Sequence, residues 1–133
     1  IPDYYATAHE NICLLIQIES VAGLENLDAI LQIDGIDGVF IGAVDLSATM
    51  GYEGNPNHPE VQNAVIHVIK KIRAAGKAAG ILSTQHEATQ QYLALGTEFV
   101  AVGVDTSVLM NSLRELLARY KTDLNVIQSE GGY

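Results

Sequence analysis

The stretch GVFIGAVDLSATMGY, Gly38 to Tyr52, decides the fold. Gly38 to Val44 is apolar without alternation, the pattern of a strand buried on both faces. The run then meets a carboxylate, Asp45, with glycines at 42 and 51 on either side. A strand covered on both faces belongs to a parallel sheet overlaid by helices, so the flanking sequence should alternate strand and helix.

It does so four times. Upstream, Asn11 to Glu19 (NICLLIQIE) reads as another strand buried on both faces, and Leu24, Leu27, Ile30 and Leu31 follow at helical spacing as far as Gly35. Downstream of the quoted stretch, Val61, Ala64, Val65, Val68, Ile69 and Ile72 keep the i, i+3, i+4, i+7 rule and predict the second helix. Pro59 suits its first position and Glu60 its positive first turn, Lys70, Lys71 and Arg73 its negative end, and Gly76 a left-handed C′ residue. The third unit is a strand from Ala78 to Leu82 and a helix from His86 to Leu95 closed by Gly96. The fourth is a strand from Phe99 to Val104 and a helix from Ser107 to Tyr120, with Leu109, Leu113, Leu116, Leu117 and Tyr120 on one stripe. Residues 1–121 thus form one domain, and the weakly periodic residues 122–133 predict an extended tail.

Four such units build either an open doubly wound sheet or half of a (β/α)8 barrel, since a complete barrel needs about 250 residues. Periodicity leaves both open. Composition narrows the function instead. Seven Lys and Arg against sixteen Asp and Glu give a net charge of -9, the wrong sign for nucleic acid or an anionic membrane. No apolar run reaches the roughly 18 residues of a membrane helix, and no leader pattern opens the chain. Cys13, the sole cysteine, allows no intrachain disulfide and no thiolate metal site, which fits a reducing, cytoplasmic setting.

In either architecture ligands gather at the carboxyl ends of the strands. Glu19 and Asp45 both stand there, on neighbouring strands about 4.8 Å apart. Two anionic oxygens with positions left for water and substrate suit a hard divalent cation such as Mg2+ or Mn2+. Alternation places Cys13, Leu15, Gln17 and Glu19 on one face of the first strand, so the Gln17 amide points beside Glu19. The bland reading makes both carboxylates ordinary polar strand ends, with Asp45 capping a short helix from Leu46. Asp105 reads as the N-cap of the last helix and His58 as a turn or N-cap residue. His9, His67 and His86 lack metal-ligand spacing, and Gly35, Gly38 and Gly42 make no dinucleotide fingerprint.

Taken together, IQIES (16–20), GIDGVFIG (35–42), DLS (45–47), MGY (50–52), NPNHPEVQ (55–62), RAAGKAAG (73–80) and FVAVGVDT (99–106) resemble the C-terminal half of the HpcH/HpaI family of class II pyruvate aldolases. The resemblance covers essentially the whole chain. It implies strands five to eight of a (β/α)8 TIM barrel, with Glu19 and Asp45 as ligands of a divalent cation (Mg2+, Mn2+ or Co2+). It further implies that Gln17 contacts bound pyruvate, that the backbone N–H groups around Val44 and Asp45 hold its carboxylate, and that Leu82 lines the pocket near its methyl group. The expected reaction is reversible retro-aldol cleavage of a 4-hydroxy-2-oxo acid to pyruvate and an aldehyde through a metal-stabilised enolate. Ala43-Val44 stand where the family has Pro-Ala, which removes a rigid ring beside a ligand and adds bulk.

The resemblance places the general-base His and a substrate-binding Arg in the N-terminal half, so no catalytic residue is assigned within this chain. An N-terminal half-barrel, in cis or in trans, is therefore an expected partner, and the family implies a homohexamer with the last barrel helix exchanged between subunits. Two rivals stand beside this expectation: a split half-barrel acting only as an assembly partner, and a flavodoxin-like binder built on an open sheet. The latter requires a reversal of strand order.

Overall fold

The computed structural model describes residues 2–121. The predicted tail, 122–133, lies outside the described residues. Four parallel strands, β1 (Leu15–Ile18), β2 (Gly38–Ile41), β3 (Ala78–Leu82) and β4 (Phe99–Ala101), pair in the order β1-β2-β3-β4. Strand order therefore never reverses, which is the barrel arrangement and overturns the open-sheet rival.

The helices are α1 (Tyr4–Thr7), α2 (Val21–Glu25), α3 (Leu27–Leu31), α4 (Ala43–Thr49), α5 (Pro59–Ala74), α6 (His86–Ala94) and α7 (Asp105–Ala118), with a 3-10 turn at Ala8–Asn11. The core lies between the sheet and α3, α5 and α6. Val39, Ile41, Ala79 and Ile81 point into it from the strands, and Leu27, Val61, Val65, Ile69, Ile72 and Tyr92 meet them from the helices. All six apolar positions that predict α5 lie along it, and five of its residues are buried.

Helix ends follow their chemistry. Pro59 is the first residue of α5, and the His58 ring accepts the Glu60 N–H through Nδ1 at 3.2 Å. After α5, Gly76 takes φ 74, its N–H reaches the Arg73 carbonyl at 3.0 Å, and the Lys77 N–H reaches Ile72 at 3.2 Å, a full Schellman closure. Gly76→Ala forces a side chain into the left-handed region, and a loss of about 1 to 2 kcal/mol is expected from urea unfolding. A change under about 0.3 kcal/mol would show that this closure does not hold the α5–β3 turn.

Several expectations are corrected. β1 runs only from Leu15 to Ile18, not from Asn11, because its partner β2 begins at Gly38: the Leu14 N–H turns to the Asp37 carboxylate at 2.6 Å, and Asn11 closes the 3-10 turn. Nor is β1 buried on both faces. Leu15 is 38% exposed and, on the same face at the far edge, Phe99 is 52% exposed, because the face opposite the helices is the barrel interior and needs further strands to cover it. β2 ends at Ile41, not Val44, since the chain enters α4 at Ala43. The first predicted helix is two, broken at Asn26. β4 stops at Ala101, and α7 starts at Asp105, which is its first residue and not its cap; its Oδ1 accepts the Thr106 N–H. The predicted stripe on α7 exists but is exposed along its length.

Candidate active site

Two local constructions bring the predicted residues together. The first is the β1–α2 turn. Gly42 donates its N–H to the Ile18 carbonyl at 2.9 Å, extending the ladder one step past the strands. Glu19 therefore sits opposite Gly42, and the two are close: a Cβ on Gly42 would lie 2.8 Å from Glu19 Cβ, 3.0 Å from Glu19 Oε2 and 2.8 Å from Gln17 Nε2. Only a glycine leaves that space. The Gln17 amide donates to Glu19 Oε2 at 2.6 Å, a short bond to a carboxylate that fixes both side chains on the interior face.

The second construction is α4. Leu46 and Ser47 are fully buried, and the Ser47 hydroxyl donates to the Val44 carbonyl at 2.6 Å. Thr49 Oγ1 accepts the Val21 N–H at 3.3 Å, tying α4 to the start of α2 and so to the Glu19 turn. With its neighbours drawn inward, Asp45 is left exposed in the first turn of α4. It is thus not at the strand end, as predicted, but a few residues beyond it, in a helix whose N-cap is Gly42. Helix geometry leaves the N–H groups of Ala43, Val44 and Asp45 without intrahelical acceptors.

A cleft of about 830 Å³ opens above the carboxyl ends of β1, β2 and β3, and Gln17, Val44, Asp45 and Leu82 all line it. Glu19 is joined to its rim through the Gln17 bond. Leu82 is half-buried and faces the same side of the sheet as Gln17 and Phe40. Four of the five predicted site residues therefore line the cleft, and Glu19 stands beside it, held on Gln17. Among the described residues no group of three or more His, Cys, Asp and Glu converges as a metal cage. Two carboxylates beside open space fit the donor chemistry of a hard divalent cation that keeps its remaining positions for water and substrate.

Gly42→Ala places a methyl group against both Glu19 and Gln17, and a loss of about a hundredfold in turnover is expected with the melting temperature moved by only a few degrees. Turnover within threefold of the parent would show that the tight packing around Gly42 does not position Glu19.

The far side of the cleft escaped the sequence reading. Asn55, Pro56, Asn57, Gln62, Thr84, Gln85 and Tyr92 line it. Tyr92 is 1% exposed, and burial pushes its phenol above the ordinary tyrosine value, partly offset by its hydrogen bond to Gln62. The signal was present in part: Gln62 breaks into α5 beside buried Val61, and NPN is a turn sequence directly after Gly54.

A sequential parallel arc with helices on its outer face and a cleft at its carboxyl ends is the build of a segment of a (β/α)8 barrel. The family model described as HpcH/HpaI aldolase/citrate lyase matches residues 2–112, and the chain belongs to that family. It is 59% identical over 121 residues to a hydroxypyruvate/pyruvate aldolase of Pseudomonas aeruginosa, a match that takes in 91% of this chain and 45% of the relative. It is 51% identical over 133 residues, 100% of this chain and 51% of the relative, to a 4-hydroxy-2-oxo-heptane-1,7-dioate aldolase of Salmonella paratyphi A. Its fold superposes on the crystal structure of a HpcH/HpaI aldolase/citrate lyase family protein from Burkholderia cenocepacia with a TM-score of 0.83 and 32% identity, over 89% of this chain and 46% of that one. The chain spans about half the length of the curated relatives it matches.

Proposed function

We propose that the protein carrying this chain is a divalent-metal-dependent lyase that cleaves a 4-hydroxy-2-oxo acid to pyruvate and an aldehyde, and runs the addition in reverse. The observation that carries the reading is the cleft at the carboxyl ends of the strands, lined by Gln17 and Asp45, with Glu19 set against Gly42 and hydrogen-bonded to Gln17. Glu19 and Asp45 would hold the cation, which supplies Lewis-acid stabilisation of charge on the 2-oxo group.

The chain's own residues do the positioning. Gln17 holds Glu19 in one rotamer and keeps its second N–H for a substrate oxygen. The free N–H groups of Ala43, Val44 and Asp45 offer a seat for a carboxylate, in a family position where Pro-Ala is replaced by Ala-Val. Leu82 supplies an apolar wall for the methyl group. The proton-transfer histidine and the arginine are assigned to an N-terminal half-barrel joined in cis or in trans. The exposed interior face and the exposed stripe on α7 support a completed barrel and an oligomer, a hexamer with α7 exchanged. The aldolase names of the relatives favour this over a non-catalytic assembly role.

The test is exchange of the pyruvate methyl protons with deuterium by the protein as isolated from its source, with Mg2+, Mn2+ or Co2+ and with chelator. Exchange that depends on metal is expected; none with any of the three ions would remove the reading.

A further inference from the structure

The Tyr92 hydroxyl lies 2.5 Å from Gln62 Oε1, and Gln62 Nε2 lies 2.8 Å from the Pro56 carbonyl. A neutral phenol has a proton to donate, and a proline carbonyl can only accept, so the two together dictate which end of the Gln62 amide faces which way. With the amide reversed, its oxygen would meet the Pro56 carbonyl and the contact would become repulsive. The link spans three elements: α6, α5 and the loop of residues 51–58.

That loop needs such a link. Gly51 and Gly54 take φ 85 and 71, and the base is closed by the Tyr52 and His58 rings, stacked 3.8 Å apart. Within it the Asn55 N–H reaches Tyr52 and the His58 N–H reaches Asn55. Its crown, Asn55 to Asn57, forms part of the wall of the cleft that Gln17 and Asp45 also line. Among the described residues lining the cleft Asp45 is the one charged group, so this wall offers neutral amides.

We propose that Tyr92 and Gln62 are positioning residues, a hydrogen-bonded strut that fixes the Asn55–Asn57 wall against the aldehyde portion of the substrate and so sets the affinity for that portion. The proposal rests on the aldolase reading above. The wall's amides suit an aldehyde bearing neutral hydroxyl or carbonyl oxygens.

The experiment is carried out on the protein as isolated from its source and on two variants. Tyr92→Phe removes only the hydroxyl. Gln62→Glu keeps the acceptor for Tyr92 and removes the donor to Pro56. Two readouts are taken: amide hydrogen exchange of Asn55 and His58, which needs no substrate, and KM and kcat for glycolaldehyde addition to pyruvate. In each variant, exchange at both amides is expected to rise about five- to tenfold, the loss of one net hydrogen bond. KM for the aldehyde is expected to rise by a similar factor while kcat falls by less, and the double variant should match the singles instead of multiplying them. Unaltered exchange overturns the strut, and faster exchange with a parental KM overturns its role in substrate affinity. Absence of metal-dependent pyruvate exchange in the parent removes the aldolase reading and the substrate role with it, whichever way the amide data fall.

Discussion

Asp45→Ala and Glu19→Ala are each expected to lower metal-dependent pyruvate exchange by about a thousandfold, the rate equivalent of about 4 kcal/mol of lost charge stabilisation. Neither change should unfold the protein. Asp45 and Glu19 are exposed, the N-cap of α4 is Gly42 and not Asp45, and Glu19 bonds to the equally exposed Gln17. Leu46 and Ser47, which anchor α4, are untouched by the Asp45 change. The paired measurement is therefore exchange rate and melting temperature: a collapse of the first with the second moved by only a few degrees. Parental exchange in either variant would strike that residue from the metal site, and a collapse of both quantities would make its role structural.

The largest effect on stability is expected from Ile69→Ala. Ile69 is fully buried in the middle of α5, the helix that packs on β2 and β3 and also touches α3 and α4. Truncation removes three carbons from the buried core cluster, on a helix pinned to two strands and two helices and so little able to close on the void. A loss of about 3 to 4 kcal/mol is expected. The measurement is the urea midpoint at constant slope, since an unchanged slope shows that the unfolded surface is the same. A loss below about 1 kcal/mol would mean that α5 is not the central pillar of this core.

What could be read from residues alone divides along the range of the interactions. The α5 helix was legible in full because its punctuation is local: Pro59, Glu60, Arg73 and Gly76 act within a turn of themselves. The placement of Gln17 beside Glu19 was legible because alternation along a strand fixes which face a side chain takes, whereas Leu82 was implied only by the family resemblance. The end of β2 was missed because Ala43 and Val44 are apolar in a strand and apolar in α4 alike, so hydropathy does not mark the switch. Burial of β1 was overestimated for a different reason: an apolar interior face reads the same whether or not its cover is at hand. Tyr92 and Gln62 lie 30 positions apart, and only the packed fold shows that one amide must serve both Tyr92 and Pro56.

The strand order has a further consequence, for the way the chain is made. Among the described residues every pairing joins strands that are consecutive in sequence. No pairing among the described residues joins strands distant in sequence, so within this arc the entropy of closing long loops is met in small instalments. A nascent chain leaving the ribosome can add one strand and its helix at a time, each new unit docking on an edge already formed. Within this arc the order of assembly is thus written in the order of translation, and β4, the last of the four strands to be made, is the one that leaves Phe99 uncovered for whatever completes the ring.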